Sequence, residues 1–269
     1  MAPEPTWPRV DVDLGNEDAD PVLLRRLVLG DVAVVRLRGL LPAEEFDRNR
    51  AALRRIFATA TTTRYANGAL TTIGPYLAKY LDRPDEYFAD ARAAQDRLDA
   101  VGFDLAAQVR TALVKAFGLN SLEPAREPGA RVHGEAVVRV HADGVSNPLH
   151  NDNIMRDAAG TELTLAELRH QLSCVVCIEE CDTGGELHIY RRPWQPDDER
   201  FKVPGHLGYE AAVVQGAPRH VFTPHAGDVY LINPTNYHEI ARVGGADRTT
   251  LGFFIGFDDD ALTDGVVWG

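Results

Sequence analysis

His150 and Asp152 stand two residues apart in the segment NPLHNDN at positions 147–153. On an extended segment, residues i and i+2 point the same way, so this imidazole and carboxylate can reach one ion. A second imidazole has to come from elsewhere in the chain. His238 follows the apolar run DVYLIN and the turn-like NPTNY, at the end of a sheet element. Two histidines and one carboxylate on one face of a metal leave the other coordination positions open, the ligand set of non-haem iron(II) sites. Ten residues after His238 comes Arg248, and two further on Thr250. On a strand these two side chains share a face. A guanidinium pairs bidentately with a carboxylate and a hydroxyl adds a hydrogen bond, so the pair reads as a socket for the far carboxylate of a metal-chelating 2-oxo acid.

The remaining histidines, His133, His141, His170, His188, His206, His220 and His225, read as structural or exposed. His220 and His225 are rival ligands, but neither is followed by an arginine and a hydroxyl at a matching distance. Cys174, Cys177 and Cys181 lie close together, in a run that reads as a buried strand. Residues three apart on a strand face opposite ways, so Cys174 and Cys177 are expected to be small buried residues, not joint ligands.

The elements that must position these groups change character along the chain. Asp20-Pro21 starts a helix that ends at Gly30, an apolar run over 32–37 suits a strand, and Pro42 opens a helix running to about residue 60. Residues 61–81, rich in Thr, Gly and aromatics, read either as a loop folded over a site or as a packed connection. Helices follow at about 83–99 and 103–117, the second with Leu105, Val109, Leu113 and Phe117 on one face and Gly118 as its stop. From Val132 the texture turns to short alternating segments. Strands are expected at 135–141, 171–179, 186–190, 210–214, 219–222, 228–233 and 249–256. The expectation is one α+β domain: mainly helical support over 1–130, a sandwich or jelly-roll core over 131–258 carrying the metal site, and a tail or lid over 259–269.

A formal charge of −12, from 28 basic against 40 acidic residues, argues against a nucleic acid partner, since phosphate binding needs a concentrated basic surface. No apolar run is long enough to cross a bilayer, and the N-terminus lacks the basic start and apolar stretch of a signal peptide. A cytoplasmic location is expected. The sequence carries no signal about oligomeric state.

Between Gly134 and Gly256 the chain resembles the Fe(II)/2-oxoglutarate-dependent dioxygenase superfamily. His150-Asn-Asp152, GGEL at 184–187, AGDVYLIN at 226–233, His238-Glu-Ile, Val243-Gly-Gly and Arg248-Thr-Thr250 fall in the expected order. The resemblance implies a double-stranded β-helix of jelly-roll (cupin-like) type, with Fe(II), 2-oxoglutarate and O2 as metal and co-substrates. More narrowly, LTTIGPYLAKYLDRPDEYF at 70–88 and the ending Val266-Val-Trp268 are similar to the branch of carrier-free amino acid halogenases and hydroxylases. Halogenating members lack the acidic ligand, leaving room for halide on the iron. Asp152 fills that place here, so the resemblance implies a hydroxylase.

That resemblance implies a small polar substrate, a free amino acid with a basic one as the leading case, releasing succinate and CO2 on turnover. Glu135, Arg139 and His141, which alternate onto one face before the metal loop, are its candidate partners, with Thr71, Thr72 and Trp268. Two other classes stay open at this point: a cupin-type metal dioxygenase that does not use 2-oxoglutarate, and a β-helix protein that binds without turnover.

Overall fold

Alternating apolar residues build most of this chain into two facing β-sheets, with helices covering one side. The computed structural model describes residues 7–15, 18–57, 61–65, 68–204 and 208–269. Its elements are β1 (Arg9–Asp13), α1 (Val22–Val28), β2 (Val34–Arg38), α2 (Ala43–Ile56), β3 (Thr61–Tyr65), β4 (Gly68–Ile73), α3 (Pro84–Ala100) and α4 (Leu105–Phe117). There follow β5 (Ser121–Pro124), β6 (Arg126–Glu127), β7 (Arg131–Val132), β8 (Val137–His141), β9 (Asn147–His150), α5 (Ile154–Asp157) and β10 (His170–Glu179). The chain closes through β11 (Leu187–Pro193), β12 (Arg219–Phe222), β13 (Val229–Ile232), β14 (Asn236–Ile240), β15 (Arg248–Phe257) and β16 (Asp264–Trp268).

The larger sheet runs β1-β2-β13-β10-β15-β8-β4-β3, with β16 on β15 and β5 on β16; the smaller runs β12-β11-β14-β9. Within the larger sheet, Leu172, Cys174 and Val176 of β10 and Leu251, Phe253 and Ile255 of β15 face α1, α2 and α4 in the main core. Each such buried apolar side chain contributes roughly 1.5–3 kcal/mol. The alternate residues face the smaller sheet. There Tyr230 and Ile232 of β13 pack on Leu187 and Ile189 of β11 and Phe222 of β12, holding the sheets together at one end. The site lies in the space between the sheets.

Several expectations change. The first 130 residues are mixed, not mainly helical, because β1 to β4 extend the larger sheet at both edges. Thr61–Tyr65 and Gly68–Ile73 form the antiparallel pair β3–β4, and β4 pairs with β8, so much of the segment read as a lid or connection is sheet. The strand expected at 210–214 is a 3-10 turn over Ala211–Val214. The helix from Pro42 ends at Ile56, and residues 58–60 lie outside the described set. The C-terminal segment is not a free tail or lid: β16 pairs antiparallel with β15 and parallel with β5. Cys174 and Cys177 do face opposite ways, one into the main core and the other in register with Thr250, and all three cysteines are free. No helix among the described residues is long and apolar enough to cross a membrane.

Candidate metal and carboxylate site

His238 of β14 and His150 of β9 are direct register partners, so both imidazoles rise from one spot on the smaller sheet. Their ring centroids are 4.2 Å apart. Each ring is aimed by the same local device. His150 Nδ1 donates to the carbonyl of Pro148 at 2.7 Å, and His238 Nδ1 donates to that of Asn236 at 2.9 Å. A proton fixed on Nδ1 leaves the Nε2 lone pair free to bind a metal. Burial and the neighbouring His238 push the His150 imidazole down to about 4, so it is neutral near pH 7.

Asp152 lies just beyond β9, on a loop tied down by its own N–H, which donates to the Pro234 carbonyl at 2.9 Å. The turn carrying Pro234 is itself anchored through Asn233, whose amide donates to the Val28 carbonyl at the end of α1, 3.2 Å away. One oxygen of Asp152 accepts from the Tyr76 hydroxyl. The other lies 3.8 Å from His150 Nε2 and 3.6 Å from His238 Nε2. Burial raises the carboxyl's pKa, but the two imidazoles and the Tyr76 hydroxyl outweigh it and keep the group below the usual carboxylate range. The three ligand atoms lie within 4.8 Å of one another, and among the described residues no other such cluster of three His, Cys, Asp or Glu side chains occurs. An N/N/O donor set with open neighbouring positions fits a mononuclear iron(II). The rival histidines are engaged elsewhere: His220 bonds the Trp7 carbonyl and His225 pairs with Glu180. His206 lies outside the described residues.

On the facing sheet, Arg248 and Thr250 share the inner side of β15, opposite His141 and Arg139 of β8. Arg248 is buried at 3% exposure, and no carboxylate pairs with it among the described residues. Its guanidinium donates from Nη2 to the Tyr230 hydroxyl at 3.4 Å. Gly185 of the GGEL motif makes room for it, since a Cβ there would stand 3.0 Å from Arg248 Cδ. A buried guanidinium without an acid partner is costly unless a ligand supplies one. His141 lies beside it, also buried, and neither of its ring nitrogens bonds a described residue.

The other anticipated substrate contacts divide. Thr72 is in register with Arg139 on the inner face, whereas Thr71 is opposite Val140 and takes the outer face. Glu135 does not point to the metal: Arg110 of α4 holds its carboxylate at 3.1 Å. Trp268 is a buried wall that packs on Phe254 with ring centroids 5.6 Å apart. Tyr76 and Gln171 were not among the residues singled out in the sequence. Gln171 is buried and accepts from the Ile154 N–H at 2.8 Å, fixing the far side of the metal loop. A narrow cleft beside Asp152 is lined by Tyr76, Leu77, Ile154, Gln171, Phe254 and Trp268.

Solved structures share this fold. An N-substituted L-amino acid dioxygenase from Burkholderia ambifaria AMMD aligns over 93% of this chain and 91% of its own, at TM-score 0.59 and 18% identity. The epimerase SnoN of nogalamycin biosynthesis, a non-heme alpha-ketoglutarate-dependent enzyme, aligns over 88% of this chain and 84% of its own, at TM-score 0.54 and 16% identity. A curated relative, leucinostatins biosynthesis cluster protein S of Purpureocillium lilacinum, is 26% identical over 197 residues, covering 68% of this chain and 78% of its own. Residues 7–263 match the family model described as carrier-protein-independent halogenase WelO5, and the chain belongs to that family.

Proposed function

We propose that the chain is an Fe(II)/2-oxoglutarate-dependent oxygenase that hydroxylates a C–H bond of an amino acid or similar small metabolite. The observation that carries this reading is the carboxylate of Asp152 beside the Nε2 atoms of His150 and His238. Those three residues would hold Fe(II). When bound, the metal with 2-oxoglutarate and O2 supplies the oxidising power for C–H attack, and succinate and CO2 are released.

The chain's own residues divide the remaining work. Arg248 and Thr250 would take the far carboxylate of 2-oxoglutarate, with the guanidinium already buried and paired with no acid among the described residues. Tyr76 holds one Asp152 oxygen, so that the other is turned toward the imidazoles. Phe254 and Trp268 exclude water from the side where substrate would enter. The fold relative from Burkholderia ambifaria is described as acting on N-substituted L-amino acids and was also solved with alpha-KG, which favours an amino-acid-like substrate and this co-substrate. A basic side chain on that substrate gains no support, because Arg110 occupies Glu135.

The family description makes halogenation the second reading. A carboxylate at position 152 competes for the coordination place a halide would need, which favours oxygen transfer. One experiment tests both. Fe(II) and 2-oxoglutarate are added under argon and the visible spectrum is recorded, and then O2 is admitted with chloride present. A weak charge-transfer band needing both additions, followed by succinate and an oxygenated product, is expected. A chlorinated product would replace hydroxylation with halogenation. Absence of the band, with iron shown to be bound, would favour a metal dioxygenase of cupin type without 2-oxoglutarate.

A further inference from the structure

Arg139 is a second cation on the inner face of the larger sheet. It is half-buried, its guanidinium donates no hydrogen bond to any described residue, and it pairs with no described carboxylate. Its guanidinium carbon lies 5.7 Å from the centre of the Tyr76 ring, whose hydroxyl bonds Asp152. This places a cation with no acid partner among the described residues one aromatic ring away from the candidate metal ligand Asp152.

The direction in which it leans says what it serves. Along the inner face of β15 come Arg248, Thr250, Gly252 and Phe254, and Arg139 is in register with Thr250. A Cβ on Gly252 would stand 2.4 Å from Arg139 Nη1. The guanidinium therefore leans over Gly252 toward Phe254 and the apolar cleft, away from the Arg248 socket. The absence of a side chain at 252 makes that pose possible.

The rest of the cleft offers little to a second charge. Its apolar walls are Tyr76, Leu77, Ile154, Phe254 and Trp268. Gln171 and Asn153 also line it, but their side-chain oxygens already accept the Ile154 and Arg156 N–H groups. Its acids are Asp152, a candidate metal ligand, and Asp157, held by Arg156 at 2.6 Å. Of the acids four residues either side of Arg139, Glu135 is held by Arg110 and Asp143 accepts from the Gly245 N–H. An ammonium bound there would lack a partner and lose its hydration, which costs far more than it gains.

We infer that Arg139 is the anchor for a substrate carboxylate. The substrate class is a monocarboxylate with an apolar body whose nitrogen is uncharged, such as an N-acylated apolar amino acid. This rests on the oxygenase reading and narrows it.

The test uses the full chain loaded with Fe(II) and 2-oxoglutarate under argon. Binding of N-acetyl-L-leucine and N-acetyl-L-phenylalanine, their methyl esters, free L-leucine and L-lysine is followed by calorimetry and by perturbation of the charge-transfer band. The two capped acids should bind, and the esters and L-lysine should bind at least about 10-fold more weakly, the loss expected for a charge-assisted hydrogen-bond pair. Arg139→Gln should weaken the capped acids by about 10- to 100-fold while leaving the 2-oxoglutarate titration unchanged, and Arg139→Lys should recover part of the loss. Esters binding as well as acids, L-lysine binding best, or neither capped acid binding would overturn the proposal. So would an equal loss of 2-oxoglutarate affinity in Arg139→Gln, which would assign Arg139 to the co-substrate. Failure to see the band in the unsubstituted protein would strike the oxygenase reading and this inference together, whereas an intact band with indifferent esters strikes the inference alone.

Discussion

Tyr76 and Asp152 are hydrogen-bonded across 76 positions of sequence, the phenol donating to one carboxylate oxygen while the other oxygen faces two imidazoles. Burial and the adjacent carboxylate raise the Tyr76 hydroxyl well above the ordinary tyrosine range, so it stays a donor at every working pH. A partner of this kind orients a metal ligand without touching the metal. Tyr76→Phe is expected to keep the fold and to weaken Fe(II) binding by about 10- to 100-fold, measured by competition with a chelator. Unchanged affinity would mean that the Pro234 contact alone sets the carboxylate.

Arg248 presents a planar fork that lysine cannot reproduce. Arg248→Lys should raise the 2-oxoglutarate concentration needed to develop the charge-transfer band by about 10- to 100-fold, with iron affinity held. Loss of iron binding in step with 2-oxoglutarate binding would show that the substitution had disturbed the sheet instead.

His141 gives a pH signature. Burial, then the charges of Arg248 and Arg139, push its imidazole down to about 3, against an ordinary value of 6.5. It stays neutral in the folded chain and takes a proton when unfolded, so the unfolded state binds more protons between these values. Stability therefore rises with pH across this window and is lost on acidification from about 6.5 toward 3, at roughly 1.4 kcal/mol per pH unit for one group. The metal-free His141→Gln variant should show a shallower fall of melting temperature between about pH 6 and pH 4 than the unsubstituted apo protein. Parallel curves would exclude His141 as a source of the acid sensitivity.

Gly185 has φ +72°, and a Cβ there would stand 2.7 Å from Cys181 Sγ as well as against Arg248. Gly185→Ala should cost about 1–3 kcal/mol of stability in urea unfolding and weaken 2-oxoglutarate binding in the same variant. A stable protein with normal co-substrate affinity would show that the turn relaxes without moving the arginine.

The candidate metal cluster and the Arg248–Thr250 pair were legible as groupings because each rests on short-range alternation: His150 with Asp152, and Arg248 with Thr250, are i, i+2 pairs on extended backbone. The helices at Ala43–Ile56, Pro84–Ala100 and Leu105–Phe117 were legible from helical spacing and their stop signals. The β3–β4 hairpin was not, although Thr-rich flanks around Asn67-Gly68 are strand and turn chemistry, because its polarity matched a loop equally well. Ala211–Val214 is apolar yet a 3-10 turn, since four apolar residues fit strand and turn alike. Glu135 and Arg139 alternate correctly in sequence, but the end of β8 frees Glu135 to meet Arg110, a contact set only by how α4 packs. Tyr76 carries no local signal at all.

The two nitrogen donors grow out of hydrogen-bonded strands paired residue for residue, while the oxygen donor hangs on a loop fixed by the Pro234 carbonyl and the Tyr76 hydroxyl. Nitrogen positions are thus scaffold and the oxygen position is an attachment. An exchange at position 152 would alter the donor set while leaving untouched the strand pairing and the backbone carbonyls that aim the two imidazoles.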